Sequence, residues 1–304
     1  MNIFKRIYKR LSTDFYRAQY MKAVPAVLNT PPVSPGNLPF VLLSMVHRRD
    51  VLSYLVAAKS FLKYAPAQRV VVVCDPSITA KDREIFKEHI PHIELRDAYE
   101  FTHVDIPRGG TWERLFAISY YAENNYVVQL DSDTLTLMDI PEVSTAIINN
   151  TGFVLGETAN QTVEYLKTTS DRAKPWLKDT QHIQALVEAA MDSLPLPKTT
   201  LYVRGCSGFT GFPSGSNIQQ KMLDFSKIMT NSFGAKWKTW GTEQITSNYL
   251  VANLAGTQVL PFPKYGTPDV SNQMSVFIHF IGSMRFTSSK YLTLTKKQLS
   301  VYRN

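Results

Sequence analysis

The chain has 304 residues, of which 44% are hydrophobic and 19% are charged, and its formal net charge is +8. This composition is that of a folded globular protein and excludes a chain that is mainly disordered. Only two cysteines occur, Cys74 and Cys206, which excludes a disulfide-stapled secreted scaffold and favours a reducing, cytoplasmic location.

The positive charge is concentrated at the two ends of the chain. Residues 1–24 hold six Lys and Arg residues against Asp14 alone, and residues 285–304 hold five basic residues and no acidic one. The remaining residues carry a net charge of about −2. The net positive charge of the chain therefore comes from its two ends and not from the domain. No nucleic-acid motif accompanies these basic residues, and we expect no nucleic-acid partner.

The first 24 residues predict a basic amphipathic helix, because apolar residues recur at three- and four-residue steps and basic residues fill the gaps. The apolar positions are Ile3, Phe4, Ile7, Leu11 and Phe15, and the basic positions are Lys5, Arg6, Lys9, Arg10 and Arg17. Such a helix can lie on an anionic membrane surface, or it can dock on the domain through its apolar stripe. No apolar run is long enough for a signal peptide or a membrane span, so at most a peripheral position on the inner face of the membrane is expected.

Prolines then separate this helix from the rest of the chain. Five of them occur between Pro25 and Pro39, which predicts an extended linker. We therefore expect three segments: the helix at 1–24, the linker at 25–38 and a catalytic domain at 39–304.

The domain begins with alternating strands and helices. The segments PFVLLSMV, RVVVVCD, HIELRD and YVVQL are predicted strands, and the stretches between them are predicted helices, the second with Thr79 as its cap. Strands that are apolar on both faces and separated by helices indicate an α/β fold with a central, mainly parallel sheet flanked by helices.

The second half predicts a more mixed order of elements. GFVLGE is strand-like, residues 165–191 are helical around Pro175, and RGCSGFTGFP is a glycine-rich strand or loop. Two helices, NIQQKMLDFSKIM and TEQITSNYLVANL, and two short strands, TQVLPFP and SVFIHFIG, complete the domain.

Two aspartates follow the strand YVVQL directly. Ligands of open α/β sheets bind at the carboxyl ends of strands, and Asp131 and Asp133 are placed there to share a divalent cation. Such a cation neutralises the charge that develops on a leaving diphosphate. Aspartates also occur at strand ends for structural reasons, so this motif alone leaves both interpretations open.

Three motifs together resemble a known family. They are T-x-x-R-L-F at Thr111–Phe116, L-D-S-D-T-L around the two aspartates, and H-F-x-G-x-x-R at His279–Arg285. They resemble the retaining glycosyltransferase family that includes glycogenin and the bacterial lipopolysaccharide galactosyl- and glucosyltransferases. The resemblance covers roughly residues 39–286 and implies a GT-A fold, a nucleotide-sugar donor that is usually a UDP-sugar, and a role in bacterial surface glycan synthesis.

The resemblance also implies roles for individual residues. Asp131, Asp133 and His279 would hold Mn²⁺ or Mg²⁺. The residues implied in donor binding are Asp131, Arg114, Arg285, Gly282 and His47. Those implied in catalysis are Gln244, Glu243 and Asp133, with Gln244 under the anomeric carbon.

Each of these residues has a structural alternative. His279 could be a satisfied core histidine, and Arg114 could pair with Glu113 or Glu123 on a solvated helix face. Thr242 is a good helix cap, so the two residues after it could belong to a capping arrangement.

The sequence thus predicts a metal-dependent glycosyltransferase that moves a hexose-type sugar from a nucleotide-sugar to a glycan or glycolipid acceptor, with retention of configuration. If the reaction inverts, Glu243 or Glu157 would be the general base. A noncatalytic sugar- or membrane-binding protein on the same scaffold is one alternative. A sugar nucleotidyltransferase is another, although VHRRDVLS lacks the glycines of a triphosphate loop. A haloacid dehalogenase phosphatase is disfavoured because Thr134 and Leu135 follow the second aspartate.

Overall fold

The computed structural model describes residues 3–282 and 284–302, with side chains from Arg10 onward. The α-helices are α1 Ile3–Ala23, α2 Val51–Leu62, α3 Ala80–His89, α4 Trp112–Tyr121, α5 Pro141–Ile148, α6 Leu166–Ala173, α7 Ile183–Ala190, α8 Ile218–Phe233, α9 Thr242–Ala252 and α10 Lys290–Val301. The strands are β1 Leu38–Val46, β2 Ala67–Cys74, β3 Ile93–Asp97, β4 Tyr126–Leu130, β5 Thr134–Thr136, β6 Phe153–Gly156, β7 Glu164–Tyr165, β8 Leu201–Tyr202, β9 Gly205–Phe212, β10 Gln258–Val259, β11 Tyr265–Gly266 and β12 Phe277–His279.

A seven-stranded sheet forms the centre of the fold, in the order β10-β6-β9-β4-β1-β2-β3. All neighbouring pairs are parallel except those of β9, which runs antiparallel to β4 and β6. The predicted α/β fold with a mainly parallel sheet is therefore confirmed. Because side chains alternate along a strand, Leu42 packs into one apolar cluster while Val41 and Leu43 pack into the other, so β1 is buried on both faces.

A smaller sheet completes the end of the domain where the parallel strands terminate. It contains β11, β12 and β5, with β12 antiparallel to β5 and His279 paired with Thr134. This pairing brings the chain near its C-terminus back to the residues that follow β4.

The N-terminal helix is present as α1, and its C-terminal part packs on the domain. Tyr20 is buried, stacks on Tyr291 with 4.3 Å between ring centroids and donates a hydrogen bond to Ser53. Farther towards the N-terminus, Leu11 and Phe15 are 64% and 58% exposed. The other predicted stripe positions, Ile3, Phe4 and Ile7, and the basic positions Lys5, Arg6 and Lys9 have side chains outside the described residues.

The proline-rich segment after α1 lies along the domain. A 3-10 turn covers Val24–Asn29, and the backbone beyond it donates from Val33 to His89 and from Gly36 to Ala67. The buried Lys59 side chain donates to the carbonyl of Pro31. The division into segments 1–24, 25–38 and 39–304 stays a prediction. No helix in the described part of the chain is long and apolar enough to cross a membrane.

Two local features differ from the sequence-based expectation, and a third settles an alternative that the sequence left open. The helical stretch around Pro175 is divided into α6 and α7 by a 3-10 turn at Lys174–Lys178, since proline has no N–H to continue an α-helix. The glycine-rich segment is a full strand, β9, held by neighbours on both sides. Helices α5 and α10 were not predicted, whereas the Thr79 cap is confirmed by its bond from Asp82 N–H.

Candidate active site

Three potential metal ligands meet at the carboxyl end of β4. Asp131 and Asp133 follow the strand, and His279 ends β12, which is tied to the same loop because Phe280 N–H donates to the Asp133 carbonyl at 2.8 Å. His279 Nε2 lies 3.2 Å from Asp133 Oδ1 and 3.8 Å from Asp131 Oδ2. One ligand atom from each of the three lies within 4.8 Å of the others.

This donor set fits a small divalent cation. Two carboxylates and one imidazole on a single side leave positions for water or phosphate oxygens, which suits Mn²⁺ or Mg²⁺. Asp133 and His279 are 5% and 4% exposed, whereas the Asp131 side chain is 27% exposed, so a ligand approaches from the Asp131 side.

The imidazole of His279 is held from behind by β9. Its Nδ1 lies 3.2 Å from the sulfur of Cys206, and its ring lies against the backbone of Gly208. A Cβ at position 208 would lie 2.1 Å from His279 Cε1, so only glycine permits this approach. The glycine-rich segment thus positions the histidine, because the other ring nitrogen of a metal-bound histidine needs a partner that fixes its orientation.

Two arginines, one buried and one partly exposed, pair with the aspartates. Arg114, 4% exposed on α4, donates to Asp131 and to Glu243, the latter at 3.1 Å. Arg285 donates to Asp133 and, at 3.0 Å, to Asp50. The alternative in which Arg114 pairs with Glu113 or Glu123 is therefore wrong, since the guanidinium turns inward to the site.

Burial and charge shift the pKa values in different directions. Burial tends to raise the pKa of Asp133, but the imidazole of His279 and the guanidinium of Arg285 outweigh it and lower the pKa to about 2. Burial raises the pKa of Asp131, with Arg114 opposing. Burial also opposes charge on His279, yet the Cys206 sulfur and the Asp133 carboxylate raise its pKa. Both shifts favour the charged forms of Asp133 and His279, so a cation at His279 competes with a proton there.

Glu243 and Gln244 open α9 on the opposite wall. Glu243 is buried and accepts from Thr111 Oγ1 at 3.0 Å as well as from Arg114. Gln244 Oε1 accepts from Ser207 at 3.4 Å. The helix cap is Gly241 without a side-chain hydrogen bond, so the capping interpretation of this pair is wrong.

A cavity of about 190 Å³ opens between these walls. The predicted site residues that line it are Arg114, Asp131, Asp133, Glu243, Gln244, His279 and Gly282. Arg285 and His47 do not line it: Arg285 approaches Asp133 from an adjacent cavity, and His47 lies 3.0 Å from Asp75 in another.

His47 lines two cavities, and one of them, of about 560 Å³, shares Gly110, Thr111 and Trp240 with the central one. Trp240 is 73% exposed and stands between the two spaces. Together the two cavities provide a polar, charged end beside the aspartates and a larger end with exposed aromatic rings.

Sequence reasoning missed Trp240 and Asp50 as parts of this region. Nothing in the local sequence shows that Trp240 is exposed or that Asp50 lies beside Arg285. The sequence offered one signal of a special turn here, the Gly109-Gly110 pair before α4. In the structure both glycines have positive φ, and they form the turn that aims Thr111 at Glu243.

Two solved structures are similar to the chain along most of its length. One is the WbbM bifunctional glycosyltransferase in its apo form, with a TM-score of 0.50, 12% identity, and coverage of 90% of this chain and 53% of that chain. The other is the galactosyltransferase LgtC in complex with donor and acceptor sugar analogues, with a TM-score of 0.51, 10% identity, and coverage of 86% and 96%. The chain has the GT-A fold.

This confirms the predicted resemblance at the level of the fold, and the chain spans about half the length of the WbbM protein. No protein-family model matches the chain, and no curated protein sequence matches it. In this GT-A chain the described cluster of Asp131, Asp133 and His279 lies at the carboxyl edge of the parallel strands, where ligands of open α/β sheets bind.

Proposed function

We propose that the protein is a metal-dependent glycosyltransferase that moves a hexose-type sugar from a nucleotide-sugar, a UDP-sugar in particular, to a saccharide or lipid-linked acceptor. The observation that supports this most is the meeting of Asp131, Asp133 and His279 at the carboxyl edge of a GT-A sheet. A second cavity large enough for a nucleoside adjoins that cluster.

In this proposal Asp131, Asp133 and His279 hold Mn²⁺ or Mg²⁺, which supplies positive charge for the leaving diphosphate when bound. Arg114 and Arg285 hold the carboxylates in place and add positive charge of their own. The side chain of Gln244 lies in the central cavity, beside the position proposed for the anomeric carbon. The donor base and ribose occupy the cavity of His47 and Trp240.

The transfer itself exchanges one bond for another. The bond between the anomeric carbon and the diphosphate oxygen breaks, and a bond from the acceptor hydroxyl oxygen forms. The hydroxyl proton leaves with the nucleoside diphosphate, so no protein base is needed for retention. Glu243 supports this choice, because its carboxylate is occupied by Arg114 and Thr111 rather than free to accept a proton.

Two alternatives make different predictions. A noncatalytic sugar- or membrane-binding protein would bind without releasing a nucleoside diphosphate. A sugar nucleotidyltransferase would release pyrophosphate from a nucleoside triphosphate. The turn after β1, residues 47–50, contains two arginines and no glycine, which disfavours a triphosphate loop.

The test is release of nucleoside diphosphate from UDP- and GDP-sugars with and without Mn²⁺. We expect one donor series to be hydrolysed or transferred in a Mn²⁺-dependent manner, with a loss of about 100-fold or more in Asp133→Asn, which preserves side-chain size. Asp139→Asn, an exposed aspartate near the same loop, is the matched control. Activity that is indifferent to both the metal and Asp133→Asn would refute the proposal, and an inverted anomer by NMR would refute retention.

A second element of the proposal is contact with an anionic membrane surface at its cytoplasmic face. Leu11 and Phe15 are exposed on α1, with the basic residues Arg10 and Arg17 beside them, and this combination suits an interfacial helix. The basic C-terminal helix α10 carries exposed Lys296 and Lys297.

Liposome co-sedimentation tests this element. Binding to vesicles with phosphatidylglycerol should exceed binding to pure phosphatidylcholine vesicles, and the double change of Leu11 and Phe15 to Ser should weaken it. Ile148→Ser, at an equally exposed apolar position on α5, is the control. Equal binding by all variants, with donor hydrolysis unaffected, would remove the membrane from the proposal and leave the chemistry intact.

A further inference from the structure

The C-terminal part of α1 carries a buried tyrosine that the chemistry described above does not use. Tyr20 is 1% exposed, and its hydroxyl donates to Ser53 in the first turn of α2 at 3.2 Å. Its ring packs against Tyr291 on α10. Both α1 and α10 lie outside residues 39–286, so the motifs that carry the family resemblance assign no role to either helix.

Three aromatic rings form a stack that leads from α1 to the metal-ligand cluster. Tyr20 and Phe280 each lie 4.3 Å from the ring centroid of Tyr291, at interplanar angles of 16° and 25°. Two rings that lie nearly parallel to a third at this distance occupy its opposite faces, so Tyr291 is held between them. Phe280 directly follows His279, and its N–H donates to the carbonyl of Asp133 at 2.8 Å. The stack therefore ends at the backbone beside two of the proposed metal ligands.

A second line of contacts leads from Tyr20 to Arg285. The ring of Phe286, the residue after Arg285, lies 5.5 Å from the ring of Tyr20. Burial raises the pKa of the Tyr20 hydroxyl, and the guanidinium of Arg285 opposes this rise, as a nearby cation does. Arg285 in turn donates to Asp133 and, at 3.0 Å, to Asp50. Tyr20 is thus one residue removed from the guanidinium that holds a proposed metal ligand.

The side chain of Arg285 has space into which it can move. A cavity of about 430 Å³ adjoins it, and the rings of Tyr20 and Phe286 form part of the wall. The Nη groups of Arg285 bind the carboxylates of Asp133 and Asp50, whereas its buried Nε has no hydrogen-bond partner among the described residues. Removal of the Tyr20 ring would enlarge this cavity and leave Phe286 without support, so the guanidinium could turn away from Asp133.

We infer that Tyr20 is a positioning residue of the proposed metal and diphosphate site. Its ring packs on Tyr291 and Phe286, and through them it holds Arg285 against Asp133. The N-terminal helix is therefore a working part of the site and not only a cover for the domain. This inference rests on the proposed function, because the site that Tyr20 positions is the one proposed to bind the donor diphosphate. The positioning itself is measurable without a donor.

The mobility of Arg285 is measured first, by hydrogen exchange of its Nε–H group in NMR spectra of ¹⁵N-labelled protein. Arg285→Met identifies the signal, because this variant lacks the Nε–H group. Tyr20→Ala should speed the exchange at least about tenfold, since local opening no longer has to break the aromatic stack. Tyr20→Phe keeps the stacked ring and loses only the hydrogen bond to Ser53, so its exchange should stay within about twofold of the wild type. Tyr20→Leu replaces Tyr20→Ala if the latter does not fold.

Tyr126 provides the matched control, because it is another buried tyrosine, 4% exposed, whose hydroxyl donates to the carbonyl of Thr151 at 2.7 Å. It is the first residue of β4 and lies at the end of this strand away from Asp131. Tyr126→Ala should lower the stability, measured by thermal unfolding, without changing the exchange of Arg285 Nε–H. Exchange accelerated as much in Tyr126→Ala as in Tyr20→Ala would show a general loss of stability and overturn the assignment.

The effect on the site is measured second, as the Mn²⁺-dependent affinity for UDP in calorimetry. Tyr20→Ala should weaken this binding about tenfold, as loss of the residues that support metal ligands does. In an Arg285→Met background the same change should weaken it by less than about twofold, because the residue through which Tyr20 acts is gone. A full effect in that background would overturn the route through Arg285.

Two further outcomes separate this inference from the proposed function. Wild-type exchange and wild-type UDP affinity in folded Tyr20→Ala or Tyr20→Leu would overturn the positioning role and leave the proposed function intact. Exchange that is accelerated in Tyr20→Ala but not in Tyr126→Ala, in a protein that binds neither Mn²⁺ nor UDP, would reject the proposed function and keep the role of Tyr20 in holding Arg285.

Discussion

The glycine at position 208 offers a test of the metal site that does not remove any ligand. Gly208 lies on β9 directly behind the imidazole of His279. In Gly208→Ala, the added Cβ would lie 2.1 Å from Cε1 and 2.5 Å from Nδ1 of that ring. Since carbon atoms in contact lie about 3.5 to 4.0 Å apart, the ring must retreat by more than about 1 Å.

This displacement is large on the scale of metal coordination, where ligand distances hold within about 0.2 Å. We expect the affinity for Mn²⁺ to fall by about 10- to 100-fold or more, the range seen when the support of a metal-bound histidine is lost. Asp131 and Asp133 remain in place, so weak residual binding through the carboxylates is expected.

The assay is calorimetric titration of Mn²⁺ into the wild type and variants, with thermal unfolding to confirm that each variant folds. Gly282→Ala is the matched control, because the residue lines the same cavity and a Cβ added there would meet no heavy atom within 4 Å. His279→Ala adds no atoms and should reproduce the loss if Gly208→Ala unfolds. Wild-type affinity in folded Gly208→Ala and in His279→Ala would show that His279 is not a ligand.

Three other predictions concern charge and burial. Arg114→Lys should lower the free energy of unfolding by about 2 kcal/mol in urea titrations, because a lysine cannot bridge Asp131 and Glu243 together. An unchanged urea midpoint of unfolding would argue against this bridge. Burial lowers the pKa of Lys59 from 10.5 to about 8, so between these values the unfolded chain binds more protons and the stability contribution of this group rises with pH. Lys59→Met should remove this rise in stability, which is measured as the difference between the urea midpoints of unfolding at pH 8 and pH 10. The same difference in the wild type and in Lys59→Met would contradict the prediction. Burial raises the pKa of Cys74 to about 11, so only about one thiol in a thousand is ionised at pH 8. Iodoacetamide should therefore label Cys74 only after the protein unfolds. Rapid labelling of the native protein would place this end of β2 at the surface.

Much of the central sheet follows from local pattern. Strands β1, β2 and β4 are continuous apolar runs because helices cover both faces of the sheet, and such runs are visible in the sequence. Strand β9 is not visible in the same way, since its glycines disfavour a strand. Its conformation comes from β4 and β6, which pair with it on either side, and from the close approach of His279 that the glycines permit.

The candidate site shows the same division. The position of Asp131 and Asp133 at a strand end was predicted from a local motif. The role of His279 as a third metal ligand was inferred from the resemblance to a known family. The partners of the arginines could not be predicted, because Arg114 and Glu243 are separated by 129 positions in the chain and Arg285 and Asp50 by 235. These contacts depend on how α4, α9 and the last strand pack, which no local pattern encodes.

The most direct test of metal-dependent donor binding is calorimetric titration of UDP, GDP and their sugars into the wild type and into Asp133→Ala. Each titration is made with and without Mn²⁺. We expect one nucleotide series to bind, its binding to require Mn²⁺, and this binding to be lost in Asp133→Ala. Binding of no nucleotide, or binding that ignores both the metal and the substitution, would mean that Asp131 and Asp133 are structural and that the protein is not a metal-dependent glycosyltransferase.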